Sequence, residues 1–156
     1  MIAWRLATTR DRAKAFAGEG ARRFGGRWNP VGVPMVYAAT TVSLAALEVL
    51  GHVDPEEARR YWLFGVTVPD GSVERLEPAA APRGWSSARP RAATARVGGA
   101  WATALRSLAL LVPSVHVPGG EEMNVLLNPR HPLFGELELG EPRPYAFDPR
   151  VLRGRG

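Results

Sequence analysis

The chain contains no cysteine, which excludes disulfides, a thiol nucleophile and any zinc site built on thiolates. Lysine is almost missing too: Lys14 is the only one, so arginine carries the net charge of +5. Arginine's planar fork of donors suits phosphates, which admits nucleic acid or a phosphorylated small molecule as partner. The arginines are nevertheless scattered, as in a chain simply biased towards Arg, Ala, Gly and Pro. No apolar run approaches the roughly 20 residues that cross a bilayer. The opening MIAWRLATTR meets charge within a few positions, too soon for the core of an export signal. A cytoplasmic protein that avoids membranes is therefore expected. Also missing are HExxH, a GxSxG elbow, a P-loop and a GxGxxG after a strand, and His52, His116 and His131 show no ligand spacing, so no metal is expected.

What is present suits one domain over residues 1–156, with 46% hydrophobic and 22% charged residues. Ile2 to Leu6 reads as a first strand, with Trp4 and Arg5 on opposite faces. The spacing then predicts a short helix within 7–23, ended by Gly18 and Gly20. Phe24 to Pro34 holds three glycines and two prolines and must be a loop. Met35 to Ala38 reads as a buried strand, followed by a helix capped by Thr40 or Thr41 and stopped by Gly51. DPEEARR after it predicts a brief helical turn. Further strands are expected at Tyr61 to Val68, near Ser72 to Leu76, and near Tyr145 to Phe147. A helix is expected at Thr94 to Ser107. In LALLVPSVHV, Pro113 removes a ladder donor, which predicts a strand edge or bulge presenting Ser114. The tail from about 150 to 156 reads as frayed.

The stretch from Arg22 to His52 concentrates the chemistry. On a wheel of about 100 degrees per residue, Val42, Ala46, Leu47, Val49 and Leu50 share one broad side. Glu48 falls on the other, beside Thr41, Leu44, Ala45 and His52, and so faces solvent or a cleft. Arg27, Tyr37 and Glu48 supply, within 22 residues, a cation for phosphates, an aromatic face for a flat ring and a carboxylate for a sugar. Breaking a bond between a sugar and a base leaves an oxocarbenium-like sugar, which a nearby carboxylate stabilises. Each residue also has an ordinary role: a solvated helix glutamate, a core tyrosine, a surface arginine, a serine satisfying a proline bulge.

The order GGRWNPVGVPMVYAATTVSLAALEVLGH, then the isolated Trp85, then WATALRSLALLVPSVHVPGGEEMNVLLNPRHPLF resembles the RES domain family, over roughly Trp4 to Phe134 and on towards the end. The resemblance implies an α+β, ADP-ribosyltransferase-like fold with two small sheets around an NAD-binding cleft flanked by helices. It further implies the toxin of a toxin–antitoxin pair, acting on NAD as substrate. The family's arginine corresponds to Arg27, its tyrosine to Tyr37, its glutamate to Glu48 and its serine to Ser114. Asn124 matches another recurrent polar position, and Arg5 and Trp28 are expected in the pocket. Pro78 to Arg96 is less typical in its Ala and Arg content. In this reading Arg27 holds the phosphates, Tyr37 stacks on or lines the nicotinamide slot, and Glu48 stabilises the developing cation. Ser114 hydrogen-bonds near the ribose or carboxamide.

Water, phosphate or a protein side chain could each be the acceptor, giving a glycohydrolase, a phosphorylase or a mono-ADP-ribosyltransferase. The family further implies an Xre-type helix-turn-helix antitoxin that occludes the cleft and makes any DNA contact; a homodimer is compatible. Two rivals stand beside it. One is a basic nucleic-acid-binding module favoured by Arg150, Arg153 and Arg155; the other is a catalytically silent domain that only pairs with its antitoxin.

Overall fold

Short apolar runs become strands where two faces can be buried; with three short polar edge strands they make an eight-stranded mixed sheet among the described residues. The computed structural model describes residues 1–54, 60–89 and 92–152. Its strands are β1 (Ile2–Ala7), β2 (Val36–Ala39), β3 (Tyr61–Thr67), β4 (Val73–Arg75), β5 (Ala109–Pro113), β6 (Met123–Leu127), β7 (Glu138–Leu139) and β8 (Arg143–Tyr145). Their order is β4-β5-β6-β2-β1-β3-β7, with β8 also on β3. Among the described strands only β4 and β5 pair in parallel. Every residue of β5 and β6 is buried, which is why neither alternates apolar with polar positions and Asn124 is the one polar residue in the two strands.

The sheet is two halves joined at a seam. β1 and β3 share six registered pairs and β2 and β6 share four, but β1 and β2 share only Trp4 with Ala39. The two small sheets expected from the sequence are thus fused into one through a single pair. Arg5 ties the halves beside it: Nε donates to the Ala15 carbonyl at 2.9 Å and Nη1 to the Tyr37 carbonyl at 2.6 Å. Burial lowers the Arg5 pKa to about 10, which leaves it charged at neutral pH.

Curling of the sheet brings residues of both halves into one core, including Val36, Phe64, Val66, Leu111, Val125 and Leu127. Phe16 closes it edge-on against Phe64, with ring centroids 5.4 Å apart. The opposite face carries two separate clusters. Leu6, Tyr61, Leu63 and Phe147 pack with Ala46 and Leu50 of a helix on one side of the seam. On the other, Trp28, Leu110, Val112 and Leu126 pack with Trp101. A cleft lies between them.

The helices are α1 (Arg12–Ala15), α2 (Glu19–Phe24), α3 (Val42–Leu50), α4 (Ala92–Ala104) and α5 (Pro149–Leu152). Several expectations need correction. Gly18 does not end a helix but caps the start of α2, with φ of 68°, and Gly20 lies inside it. A left-handed glycine lets the chain turn from α1 straight into α2. The wheel of α3 was also rotated: Leu47 is 40% exposed, whereas Leu44 and Ala45, on the side of Glu48, are buried against Ala39. The helix straddles the seam, so its buried arc serves two clusters and includes the face assigned to the cleft. Pro113 is no bulge, since it stays in register with Met123 of β6, but it ends β5 beyond the Ala109–Leu111 stretch that β4 pairs, so the strand is an edge there as expected. Residues 149–152 are helical, with Asp148 accepting from the Arg150 backbone N–H at 2.8 Å. The frayed end proposed for 153–156 and most of the DPEEARR turn lie outside the described residues. Among the described residues no helix is long and apolar enough to cross a membrane.

Candidate active site

The glycine-rich loop between α2 and β2 is held by one buried asparagine. Asn29 Nδ2 faces the carbonyls of Ala21, Pro30 and Val33 at 2.9, 3.1 and 3.0 Å. Its Oδ1 accepts from the Tyr37 hydroxyl at 2.7 Å, and that hydroxyl accepts from the Trp28 backbone N–H at 3.2 Å. Burial raises the Tyr37 phenol well above its ordinary range. Tyr37 is therefore a neutral pin between strand and loop. Gly26 is required at the contact, since a Cβ there would sit 2.6 Å from the Tyr37 oxygen.

The pin sets the two residues that follow Gly26. Arg27 turns towards the 82–89 loop, where Nη1 donates to the carbonyls of Trp85 at 2.8 Å and Ser87 at 2.9 Å. Trp28 points into the core at 1% exposure. Its Nε1 is, among the described residues, a buried donor without a partner. A Cβ on Gly98 of α4 would collide with the Trp28 carbonyl, so α4 can pack here only through a glycine.

Glu48 enters from α3, whose first turn is capped by Thr41 Oγ1 accepting from Leu44 N at 3.0 Å. Two neutral donors converge on one carboxylate oxygen: Ser114 Oγ at 2.6 Å and Asn124 Nδ2 at 2.7 Å, both on Oε1. Both come from adjacent strands of one sheet face, Ser114 just after β5 and Asn124 on β6, where Val112 pairs with Asn124. Ser114 Oγ also accepts from the His116 backbone N–H at 3.1 Å, and His116 Nε2 lies 3.9 Å from Oε2. Oε1 is thus fixed, and Oε2 stays near an imidazole.

The cleft has a volume of about 440 Å³, within the range of small-molecule sites. Arg5, Arg27, Trp28, Tyr37, Glu48 and Asn124 all line it. Ser114 is fully buried and reaches it only through Glu48. Sequence reasoning passed over Asn29, which folds the loop, His116, and Trp4, which also lines the cleft. Only long-range contacts reveal the first two; a tryptophan next to Arg5 within β1 was a visible signal for the third. Among the described residues no group of three metal-ligating side chains exists. Six of the described arginines are in ion pairs: Arg22 and Arg23 with Glu19, Arg12 with Glu141, Arg75 with Glu77, Arg106 with Glu74 and Arg150 with Asp148.

Comparison with known proteins identifies the family. Residues 2–148 match the RES domain. A protein of Yersinia enterocolitica named Toxin Res is 40% identical over 153 residues, covering 97% of this chain and 99% of its own. One of Sphingobium, named Prs ADP-ribosylating toxin, is 40% identical over 157 residues, covering 96% of each. Among solved structures, the M. tuberculosis MbcT–MbcA toxin–antitoxin complex contains a chain that superposes with a TM-score of 0.71 at 25% identity, covering 97% of this chain and 86% of that one. With its fold and nearly its whole length matched, the chain belongs to the RES domain family, as a toxin of that family.

Proposed function

We propose that this protein is the toxin of a toxin–antitoxin pair, and that its cleft binds NAD and cleaves the bond between nicotinamide and ribose. The observation that carries the reading is the Glu48 carboxylate, which lines the cleft and is fixed by Ser114 and Asn124 through one oxygen. The glycosidic C–N bond breaks, its electron pair leaves with neutral nicotinamide, and positive charge develops on the ribose. Glu48 Oε2 holds a ribose hydroxyl and stabilises that charge, and because the carboxylate is already oriented, little reorganisation is needed as the charge develops. Ser114 and Asn124 act through Glu48 as positioning residues. Arg27 holds the phosphates through donors not engaged with Trp85 and Ser87, and Tyr37 shapes the nicotinamide slot.

The sugar is captured by water, by phosphate or by a protein side chain. Water or phosphate depletes NAD. Capture by a side chain is the second reading, favoured by the similarity to a protein named an ADP-ribosylating toxin. The antitoxin is an Xre-type protein that covers the cleft, in keeping with the toxin–antitoxin complex among the structural neighbours. The test is nicotinamide release from NAD by the protein freed of antitoxin, with Glu48→Gln alongside, with phosphate present or absent and with cell extract added. Release that Glu48→Gln abolishes supports the reading, and its dependence on phosphate or extract names the acceptor. Equal release by both proteins, or none under any condition, sinks it.

A further inference from the structure

One row of residues crosses four strands at the level of the carboxylate. Asn124 on β6 pairs with Ala39 on β2, Ala39 with Trp4 on β1, and Trp4 with Gly65 on β3. Asn124 holds Glu48 at one end of this row. At the other end the Trp4 indole leans over β3, because Gly65 has no side chain; a Cβ there would stand 3.2 Å from the ring. The indole is half-buried and lines the cleft beside Leu6, Thr8, Val49, Val53 and Tyr61. With strands about 4.8 Å apart, Gly65 lies three strands, or roughly 14 Å, from Asn124. Arg143, exposed on β8, places its guanidinium 6.0 Å from the indole centroid. Two layers in van der Waals contact with a ring between them need about 7 Å, so a modest shift of this exposed side chain admits a flat ring.

We infer that Trp4 forms the floor of a second subsite, which takes the purine base of a dinucleotide by stacking, with Arg143 as its movable cover. This rests on the reading of the cleft as an NAD site and adds to it where the adenine lies. It also gives a reason for selecting a dinucleotide: a mononucleotide held at Glu48 does not extend across the row to Trp4.

The probe is ADP, which carries the purine and the phosphates but no nicotinamide, measured by calorimetry on antitoxin-free protein. Trp4→Leu keeps apolar bulk against α3 and removes the flat ring; Trp4→Phe keeps a ring. Melting curves verify that each variant is folded. Base stacking predicts ADP binding roughly tenfold weaker in Trp4→Leu and largely retained in Trp4→Phe, with the KM for NAD following the same order. Unchanged ADP affinity in folded Trp4→Leu, or no ADP binding by the wild type, overturns the subsite. If ADP binding depends on Trp4 while the wild type releases no nicotinamide, the subsite stands and the cleavage reading falls. Cleavage of NAD with ADP binding indifferent to Trp4 strikes the subsite alone.

Discussion

Replacing Tyr37 with phenylalanine separates a residue that stacks on substrate from one that pins a loop. The change keeps the ring and removes a single oxygen. That oxygen donates to Asn29 Oδ1 at 2.7 Å and accepts from Trp28 N at 3.2 Å. Both partners belong to buried residues, and the close approach of Gly26 leaves little room for a water to replace it. A buried polar group left unpaired costs about 1–3 kcal/mol, so two such groups predict a loss of roughly 2–6 kcal/mol. For a domain of this size that lowers the melting temperature by at least roughly 4 °C, readable by calorimetry or circular dichroism. A drop below about 2 °C would refute the pin. The pH dependence gives a second readout. Burial raises the folded phenol above its ordinary value of 10.0, so below about pH 10 both states are protonated and the contribution is complete. Above it the unfolded phenol ionises while Tyr37 does not, and stability falls. The difference between wild type and Tyr37→Phe isolates this slope from Arg5, whose lowered pKa of about 10 acts in the opposite sense.

The two buried tryptophans should respond differently to loss of their N–H. Trp101 Nε1 donates to Ser107 Oγ at 2.8 Å, so Trp101→Phe costs about 1 kcal/mol for the bond beyond any packing loss; Trp28 Nε1 has no such partner among the described residues, and urea unfolding of Trp28→Phe should show no loss of this kind. Gly98→Ala places a Cβ against the Trp28 carbonyl, and because backbone yields little, a loss of about 3 kcal/mol is expected, with a raised KM as Arg27 moves. A melting temperature and KM equal to wild type would contradict that packing.

The local structure of β1, β2 and α3 was readable because each is short, strongly apolar and bounded by Gly, Pro or Thr. The loop at 24–34 was readable for the same reason. The lie of α3 was not. A wheel assumes one core side, whereas this helix sits across a seam, and the small side chains of Ala39 and Ala45 let it bury the face that also carries Glu48. Arg5 was uninformative alone, since its meaning lies in two carbonyls of distant segments. The types of Arg27, Tyr37 and Glu48 were legible, and the family resemblance added Ser114 and Asn124. That Ser114 acts behind Glu48, out of reach of the cleft, follows only from β5 and β6 lying side by side, a pairing of distant segments that spacing in sequence does not encode.

The most direct test of the central claim follows nicotinamide release from NAD in Glu48→Gln, Ser114→Ala and Asn124→Ala, with kcat and KM resolved. If Glu48 is the group that stabilises the developing charge, its replacement lowers kcat by about a hundredfold or more. Each positioning variant lowers kcat roughly tenfold through one lost bond to a charged oxygen, with KM nearly constant. Wild-type kcat in Glu48→Gln, or positioning variants that change KM alone, would contradict the account.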